Sequence, residues 1–291
     1  MIIDSHVHLG EDYVFDEVNT EDELTKYYDE FNIDGGIIQP FFPRPYIKDH
    51  QEIHNRIAAY CKKMKPRKKF WGMASINPHL RPEDYDKEAE RCIKELGFVA
   101  IKITTIGHAC HPSSKDAYHV YEVCEALKVP LMIHTGNDVP FAYPISVYWG
   151  AKDHPDVPVI MAPAGSETFN QQARLLAEKL DNVYLEPSWC GINAVKKMIA
   201  SVVCSIILFS SDNLDQIPVE LAKYRQISFS VNLDPIRQSL LGRMRMVALI
   251  CQQGNTYAPY GLYLPFSSSL DIILTKELIH PANLEGTAEG G

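Results

Sequence analysis

Short apolar runs alternate with longer amphipathic segments along most of the chain. Most of the runs are apolar on both faces, which is typical of parallel strands covered by helices on each side. The segments between them have helical periodicity and separate the runs by about 25 to 35 residues, as in successive βα units. The eight predicted strands lie at 1–10, 35–40, 69–76, 98–103, 130–136, 157–163, 182–188 and 204–212.

Eight βα units fit either a closed barrel or an open, doubly wound sheet. No GxGxxG or GxxxxGK[ST] turn follows any of the runs, so the usual nucleotide-binding support for an open sheet is missing. The pattern therefore favours an α/β protein with a (β/α)8 TIM barrel fold.

The chain after the eighth run predicts a C-terminal extension. Helical patterns at 216–227 and 235–250 predict extra C-terminal helices, and the remainder is an irregular tail with several prolines and a glycine-rich end. We expect the barrel to occupy residues 1–250. We expect residues 251–291 to pack on the barrel or on a neighbouring subunit, which makes a homo-oligomer possible.

Composition and charge narrow the classes of partner. The formal net charge of −9 and the pI near 5.7 leave no basic surplus for nucleic acid or an anionic membrane, so we expect a small-molecule substrate. The longest apolar runs are far shorter than the ~20 residues of a membrane span. The seven cysteines include no CxxC pair, which predicts free thiols in a reducing compartment. No leader pattern precedes the first strand, so we expect a cytoplasmic location.

The first predicted strand carries an unusual polar set, Asp-Ser-His-Val-His at residues 4–8. Because side chains alternate between the two faces of a strand, we expect Asp4, His6 and His8 on one face and Val7 and Leu9 on the other. Two imidazoles on one face can reach a single ion. The alternative is a pair of hydrogen-bonded core histidines.

Further polar residues follow other predicted strands. In a barrel, the carboxyl ends of the strands form the active-site face, so polar residues at these ends are candidates for chemistry. Imidazole and carboxylate groups together suit zinc and other first-row transition metals. The strand-end residues are His6, His8, Lys102, Thr104, His134, Glu186 and Asp212.

The motifs IDSHVHLG, LMIHTG and ILFSSDN, in this order and at strand ends, resemble the amidohydrolase superfamily. The resemblance covers about residues 1–250 and is strongest to the branch of hydrolases and decarboxylases related to aminocarboxymuconate semialdehyde decarboxylase. It implies that His6, His8, His134 and Asp212 bind one divalent metal ion, usually Zn²⁺. It also implies that Asp212 is catalytic and accepts a proton from metal-bound water.

Two positions depart from the family pattern. Pro163 stands where the sixth strand usually ends in a histidine, and Thr104 stands where a histidine is common after the fourth. Proline cannot transfer a proton. Either Asp212 acts alone, His108 or His111 enters from the loop after the fourth strand, or the ancestral reaction has been lost.

These observations predict a metal-dependent hydrolase that uses activated water on a small amide, ester or lactone. The alternatives are a non-oxidative decarboxylase of the same fold and a metal-binding barrel with impaired catalysis. Lys102 is expected to bind substrate charge, with a carboxylated bridging lysine as the alternative, and Arg44 is a second candidate anion partner. Glu186 and Trp189 are expected to shape the pocket. The other histidines are expected on the surface or on helices.

Overall fold

The computed structural model describes residues 2–42, 44–202 and 204–230. Its strands and helices alternate along the chain, as the apolar pattern predicts. The strands are β1 (Ile3–Glu11), β2 (Val18–Asn19), β3 (Gly35–Pro40), β4 (Lys69–Ser75), β5 (Ala100–Ile103), β6 (Leu131–His134), β7 (Val159–Ala162) and β8 (Val183–Leu185). The helices are α1 (Glu21–Glu30), α2 (Ile47–Met64), α3 (Pro82–Glu90), α4 (Lys115–Leu127), α5 (Tyr148–Asp153), α6 (Ser166–Lys179), α7 (Ile192–Ser201) and α8 (Ile217–Ser230).

Seven strands form a parallel sheet in the order β1-β3-β4-β5-β6-β7-β8, and the short β2 pairs antiparallel with the end of β1. Residues 207–212 close the ring. Ile207 bridges to Leu185 of β8, and Asp212 bridges to Val7 of β1. The fold is therefore a (β/α)8 barrel, and the predicted fold class is confirmed.

The eighth predicted strand, 204–212, is less regular than expected. Its first three residues, Cys204–Ile206, form a 3-10 turn, and the rest makes bridges in place of a continuous ladder. Backbone hydrogen bonds still tie this segment to both neighbours. Ser5 N–H of β1 donates to the Phe209 carbonyl at 2.9 Å, and Asp212 N–H donates to the His6 carbonyl at 2.8 Å. On the other side, Leu208 N–H donates to the Leu185 carbonyl at 2.8 Å.

Strand alternation separates a hydrophobic layer from the inner face of the barrel. Ile101 and Ile103 of β5 belong to the apolar cluster that packs beneath the helices, whereas Lys102 between them lies on the opposite face. The same alternation puts Leu131 and Ile133 of β6 in the apolar cluster. Polar groups at the strand ends therefore collect on the inner face.

Asp4 does not share a face with His6 and His8, contrary to the expectation from simple alternation. The register of β1 against β3 shifts between Asp4 and Val7, so an extra residue bulges there and reverses the face of Asp4. Its carboxylate accepts hydrogen bonds from Tyr28 of α1 at 3.0 Å and from the Ser211 hydroxyl at 2.5 Å. Asp4 therefore ties the first strand to the closing segment.

The described residues cover one of the two predicted C-terminal helices. Helix α8 matches the predicted helix 216–227. At the other end of the chain, Thr20 and Glu23 form a capping box that begins α1. The predicted helix 235–250 and the tail 251–291 lie outside the described residues.

The described cysteines 61, 92, 110, 124 and 190 are free, as predicted. Within the described part of the chain, the helices lack the combination of length and apolar character that a bilayer crossing requires.

Candidate metal centre

His6 and His8 point from β1 toward the inner face, and each ring is fixed by a bond at Nδ1. The Nδ1 atom of His6 lies 3.1 Å from Glu186 Oε2, and that of His8 lies 3.0 Å from the Pro40 carbonyl oxygen. Because both partners only accept hydrogen bonds, each Nδ1 carries the proton. Both Nε2 atoms are thereby directed at the site, in the arrangement typical of metal-binding histidines.

Asp212 completes a compact group with these two rings. Its Oδ1 atom lies 3.0 Å from His6 Nε2 and 3.4 Å from His8 Nε2, and the two Nε2 atoms are 3.1 Å apart. Three electron-pair donors therefore face one another, with two imidazole nitrogens and one carboxylate oxygen. This donor set fits a divalent transition-metal ion.

The electrostatics of the group couple Asp212 to the two histidine rings. Burial and the nearby Lys102 disfavour the charged form of His6, but Asp212 and Glu186 outweigh them and raise its pKa above the usual range. Burial alone would raise the pKa of Asp212; the His6 and His8 rings reverse this and hold the pKa well below its ordinary value. The two rings respond differently, because burial outweighs Asp212 at His8 and lowers the pKa of that ring.

Lys102 lies beside the metal-type group. Its Nζ atom is 3.4 Å from His6 Nε2, and the side chain is buried. Burial lowers its pKa to about 8, against the opposing charges of Asp212 and Glu186. A buried ammonium group at this position is suited to an anionic group of a substrate.

His134 is placed at the end of β6 but not within the group. Its Nε2 atom lies 2.9 Å from Asp138 Oδ2, and the compact set of ligand atoms within 4.8 Å of one another consists of His6, His8 and Asp212. The Asp138 carboxylate is close enough to feel the charge of Asp212. Metal ligation by His134 stays a prediction.

The loop after β5 does not bring a histidine to the group. His108 Nδ1 accepts a hydrogen bond from Thr104 N–H at 3.2 Å, and its ring packs edge-on against Phe42. Burial lowers the pKa of His108 to about 3, so this ring stays neutral. His111 Nδ1 accepts from Ser113 N–H within the loop itself.

Gln39 and Trp189 contact the group in ways that strand alternation did not predict. Gln39 Nε2 lies 3.2 Å from His8 Nε2, and the indole Nε1 of Trp189 donates to Asp212 Oδ2 at 2.6 Å. A signal for Gln39 exists in the sequence, because it is the one polar side chain in the run GGIIQP. For Trp189 the sequence predicts a place at the pocket, whereas its hydrogen bond to Asp212 depends on loop geometry and has no such signal.

A second metal-type group lies outside the barrel, where His54 of α2 faces Glu88 and Cys92. Ser75 N–H donates to His54 Nε2 at 3.1 Å, so the proton is on Nδ1, which donates to Glu88 Oε1 at 2.7 Å. Arg91 occupies both oxygens of Glu88. Burial raises the pKa of Cys92, so its thiol stays protonated. The group is satisfied without an ion, and we assign it a structural role.

Three solved structures illustrate the likeness to known proteins. The 4-oxalomesaconate hydratase from Rhodopseudomonas palustris is 18% identical with a TM-score of 0.60, over 87% of this chain and 97% of that one. A 5-carboxyvanillate decarboxylase from Novosphingobium aromaticivorans, complexed with manganese and 4-hydroxy-3-methoxy-5-nitrobenzoic acid, is 13% identical with a TM-score of 0.56, over 75% and 76%. A probable 2-pyrone-4,6-dicarboxylic acid hydrolase from Acinetobacter baumannii is 15% identical with a TM-score of 0.57, over 82% and 95%.

The family comparison is more specific than these structural likenesses, which show the fold alone. The family model described as amidohydrolase matches residues 3–214, a span that runs from the first strand to just beyond Asp212. This span includes all three motifs from which the resemblance was predicted. The chain therefore belongs to the amidohydrolase family.

Proposed function

We propose that the protein is a metal-dependent hydrolase that acts on a small carbonyl compound carrying a carboxylate. The observation that supports this proposal most is the convergence of His6 Nε2, His8 Nε2 and Asp212 Oδ1 within 3.4 Å of one another. These are the atoms that would hold the ion, with Zn²⁺ our expectation from the nitrogen-rich donor set. Once bound, a divalent ion supplies Lewis-acid polarisation of a carbonyl group and activation of water.

Asp212 is the group that we expect to move the proton. It is the carboxylate in direct contact with both histidines, and its low pKa keeps it ionised at neutral pH. An ionised carboxylate at this position can accept a proton from the attacking water and return it to the leaving group. Glu186 keeps its bond to His6 and orients that ring.

Lys102 supports a carboxylate-bearing substrate. Among the described residues, its one hydrogen-bond contact is the 3.4 Å approach to His6 Nε2, so most of its hydrogen-bonding capacity is available to a ligand. With a divalent ion bound, the positive charges of the ion and the Lys102 ammonium would exceed the negative charges of the Asp212 and Glu186 carboxylates by one. The site therefore attracts anions, and a buried cation holds them more strongly than an exposed one.

Decarboxylation is the second candidate, and a specific arrangement favours it. Pro163 follows β7 and has no proton to transfer, while Asp212 Oδ2 already accepts the indole N–H of Trp189. Groups that could activate water are therefore few. Loss of carbon dioxide needs instead a cation to hold the carboxylate and a donor to protonate carbon. The manganese complex of the 5-carboxyvanillate decarboxylase is compatible with this alternative.

Product analysis separates the candidates. The Zn²⁺- or Mn²⁺-loaded chain would be incubated with carboxylate-bearing esters, lactones and amides, and separately with aromatic carboxylic acids. We expect the wild type to release an acid from the first group of substrates, to lose this activity on chelation and to regain it when the ion is added back. The activity should be absent in Asp212→Asn and retained in Asp215→Asn, a control at an exposed position. Carbon dioxide without acid release would favour the decarboxylase. If neither acid nor carbon dioxide is formed, the result would favour a barrel with impaired catalysis. Turnover that survives chelation would contradict the proposed role of the metal.

A further inference from the structure

The loop 187–191, which connects β8 to α7, carries a tryptophan that contacts a proposed metal ligand. We propose that Trp189 is a positioning residue: its indole N–H holds Asp212 Oδ2, so that Oδ1 faces His6 and His8. This inference rests on the proposed metal centre and assigns the residue that orients its carboxylate.

The contact between the indole and the carboxylate is short and directional. Trp189 Nε1 lies 2.6 Å from Asp212 Oδ2, while Oδ1 of the same carboxylate lies 3.0 Å from His6 Nε2. A free carboxylate can rotate and exchange its two oxygens. A charge-assisted hydrogen bond to one oxygen opposes this rotation and leaves the other directed at the histidines.

Backbone conformation on both sides of the contact is unusual. Trp189 has a φ of +59° and Asp212 a φ of +66°. Both values lie in the left-handed backbone region, which residues other than glycine seldom adopt. Such conformations persist where the surrounding structure imposes them, and they concentrate at functional sites. Here the two residues with positive φ are hydrogen-bonded to each other through their side chains.

Helix α8 anchors the loop in this conformation. Lys223 Nζ donates to the carbonyl oxygens of Pro187 at 3.0 Å and of Cys190 at 2.9 Å, on either side of the tryptophan. Glu220 Oε1 accepts the backbone N–H of Trp189 at 3.2 Å. The backbone of the loop is thus fixed by α8, while Trp189 itself is 48% exposed. Burial alone does not account for the position of this indole.

The same loop also reaches the histidine side of the group. Ser188 N–H donates to Glu186 Oε1 at 2.8 Å, and the Ser188 hydroxyl donates to Glu186 Oε2 at 2.9 Å. Glu186 Oε2 in turn holds His6 Nδ1. Consecutive residues of one loop therefore orient two of the proposed ligands, Ser188 through Glu186 and Trp189 directly.

Zn²⁺ affinity tests the inference with a matched pair of variants. Trp189→Phe keeps an aromatic ring but removes the donor, and Trp149→Phe changes another half-exposed tryptophan, which stacks with Lys152 away from the group. In competition with a chromogenic chelator, we expect Trp189→Phe to bind Zn²⁺ about tenfold or more weakly. We expect Trp149→Phe to stay within about twofold of the wild-type affinity. Thermal unfolding of the apo proteins would identify a general loss of folding.

Indole fluorescence gives a second measurement that needs no activity. Zn²⁺ should change the emission of the wild type and of Trp149→Phe, because the indole of Trp189 touches a ligand of the ion, and should not change that of folded Trp189→Phe. The positioning role would be wrong if Trp189→Phe bound Zn²⁺ with unchanged affinity, or if the emission of Trp149→Phe did not change at saturating Zn²⁺. Either result would leave the proposed metal centre unaffected. Failure of the wild type to bind Zn²⁺ or Mn²⁺ would overturn both.

Discussion

Glu88→Gln should destabilise the protein at neutral pH and weaken its response to acid. Glu88 is buried, and its carboxylate accepts hydrogen bonds from His54 at 2.7 Å and from Arg91 at 2.7 and 2.8 Å. Burial would raise the pKa of Glu88, but these two partners outweigh it and lower the pKa from 4.5 to about 2. The folded state thus binds this proton less readily than the unfolded state does.

The size and direction of the effect follow from this difference in proton affinity. One pKa unit is a tenfold change in proton affinity and corresponds to about 1.4 kcal/mol. Ionised Glu88 therefore stabilises the folded protein by about 3 kcal/mol at neutral pH. The full contribution is present above pH 4.5 and disappears as the pH falls toward 2. At pH 3, about 2 kcal/mol of it should be lost.

Urea unfolding followed by circular dichroism at pH 7 and at pH 3 measures both quantities. Glu88→Gln should lower the free energy of unfolding by about 3 kcal/mol at pH 7, and should differ less from the wild type at pH 3. The control Glu90→Gln, on the same helix, breaks an exposed pair with Lys94 and should cost less than about 1 kcal/mol at either pH. A difference between wild type and Glu88→Gln that is small, or that does not depend on pH, would refute the argument.

Two further changes address the candidate metal centre. Glu186→Gln should weaken Zn²⁺ affinity by about 10- to 100-fold, because His6 loses the charged partner that orients its ring; chelator competition measures this, and unchanged affinity would contradict it. Lys102→Met should leave about one ion bound per chain but raise KM for a carboxylate-bearing substrate by about tenfold or more. An unchanged KM would exclude Lys102 as the anion partner.

The apolar pattern predicted most of the fold, and it missed features that depend on pairing. Strand runs and helix periodicity indicate where elements lie because burial dictates both. The bulge between Asp4 and Val7 depends on how β1 aligns with β3, so the reversed face of Asp4 could not be deduced from alternation. The run at 204–212 is apolar enough for a strand, but its hydrogen bonding is limited to a few positions.

The candidate site was predictable where it depends on strand ends and not where it depends on loops. The structure brings together His6, His8 and Asp212, as their positions at strand ends predict. The bond between His134 and Asp138 and the bond between Trp189 and Asp212 are set by loop conformations. A positive φ at a tryptophan has no signature in a single sequence.

Burial of histidines was also beyond the sequence pattern. His50 and His54 lie on α2, as expected for helix residues, but both are buried beneath it. Each is stabilised by the backbone of Ser75, which accepts a bond from one ring and donates to the other. Such a contact joins a helix to a distant strand, and helix periodicity does not reveal it.

Metal content per chain tests the central claim most directly. The protein would be loaded with Zn²⁺ or Mn²⁺, desalted and measured by elemental analysis beside His6→Ala, His8→Ala and the surface control His119→Ala. We predict about one tightly bound ion per chain in the wild type and in His119→Ala, and strong loss in the other two variants, because each removes one of the converging ligands. Wild-type protein that retains no ion, or variants at His6 and His8 that retain it fully, would contradict the account.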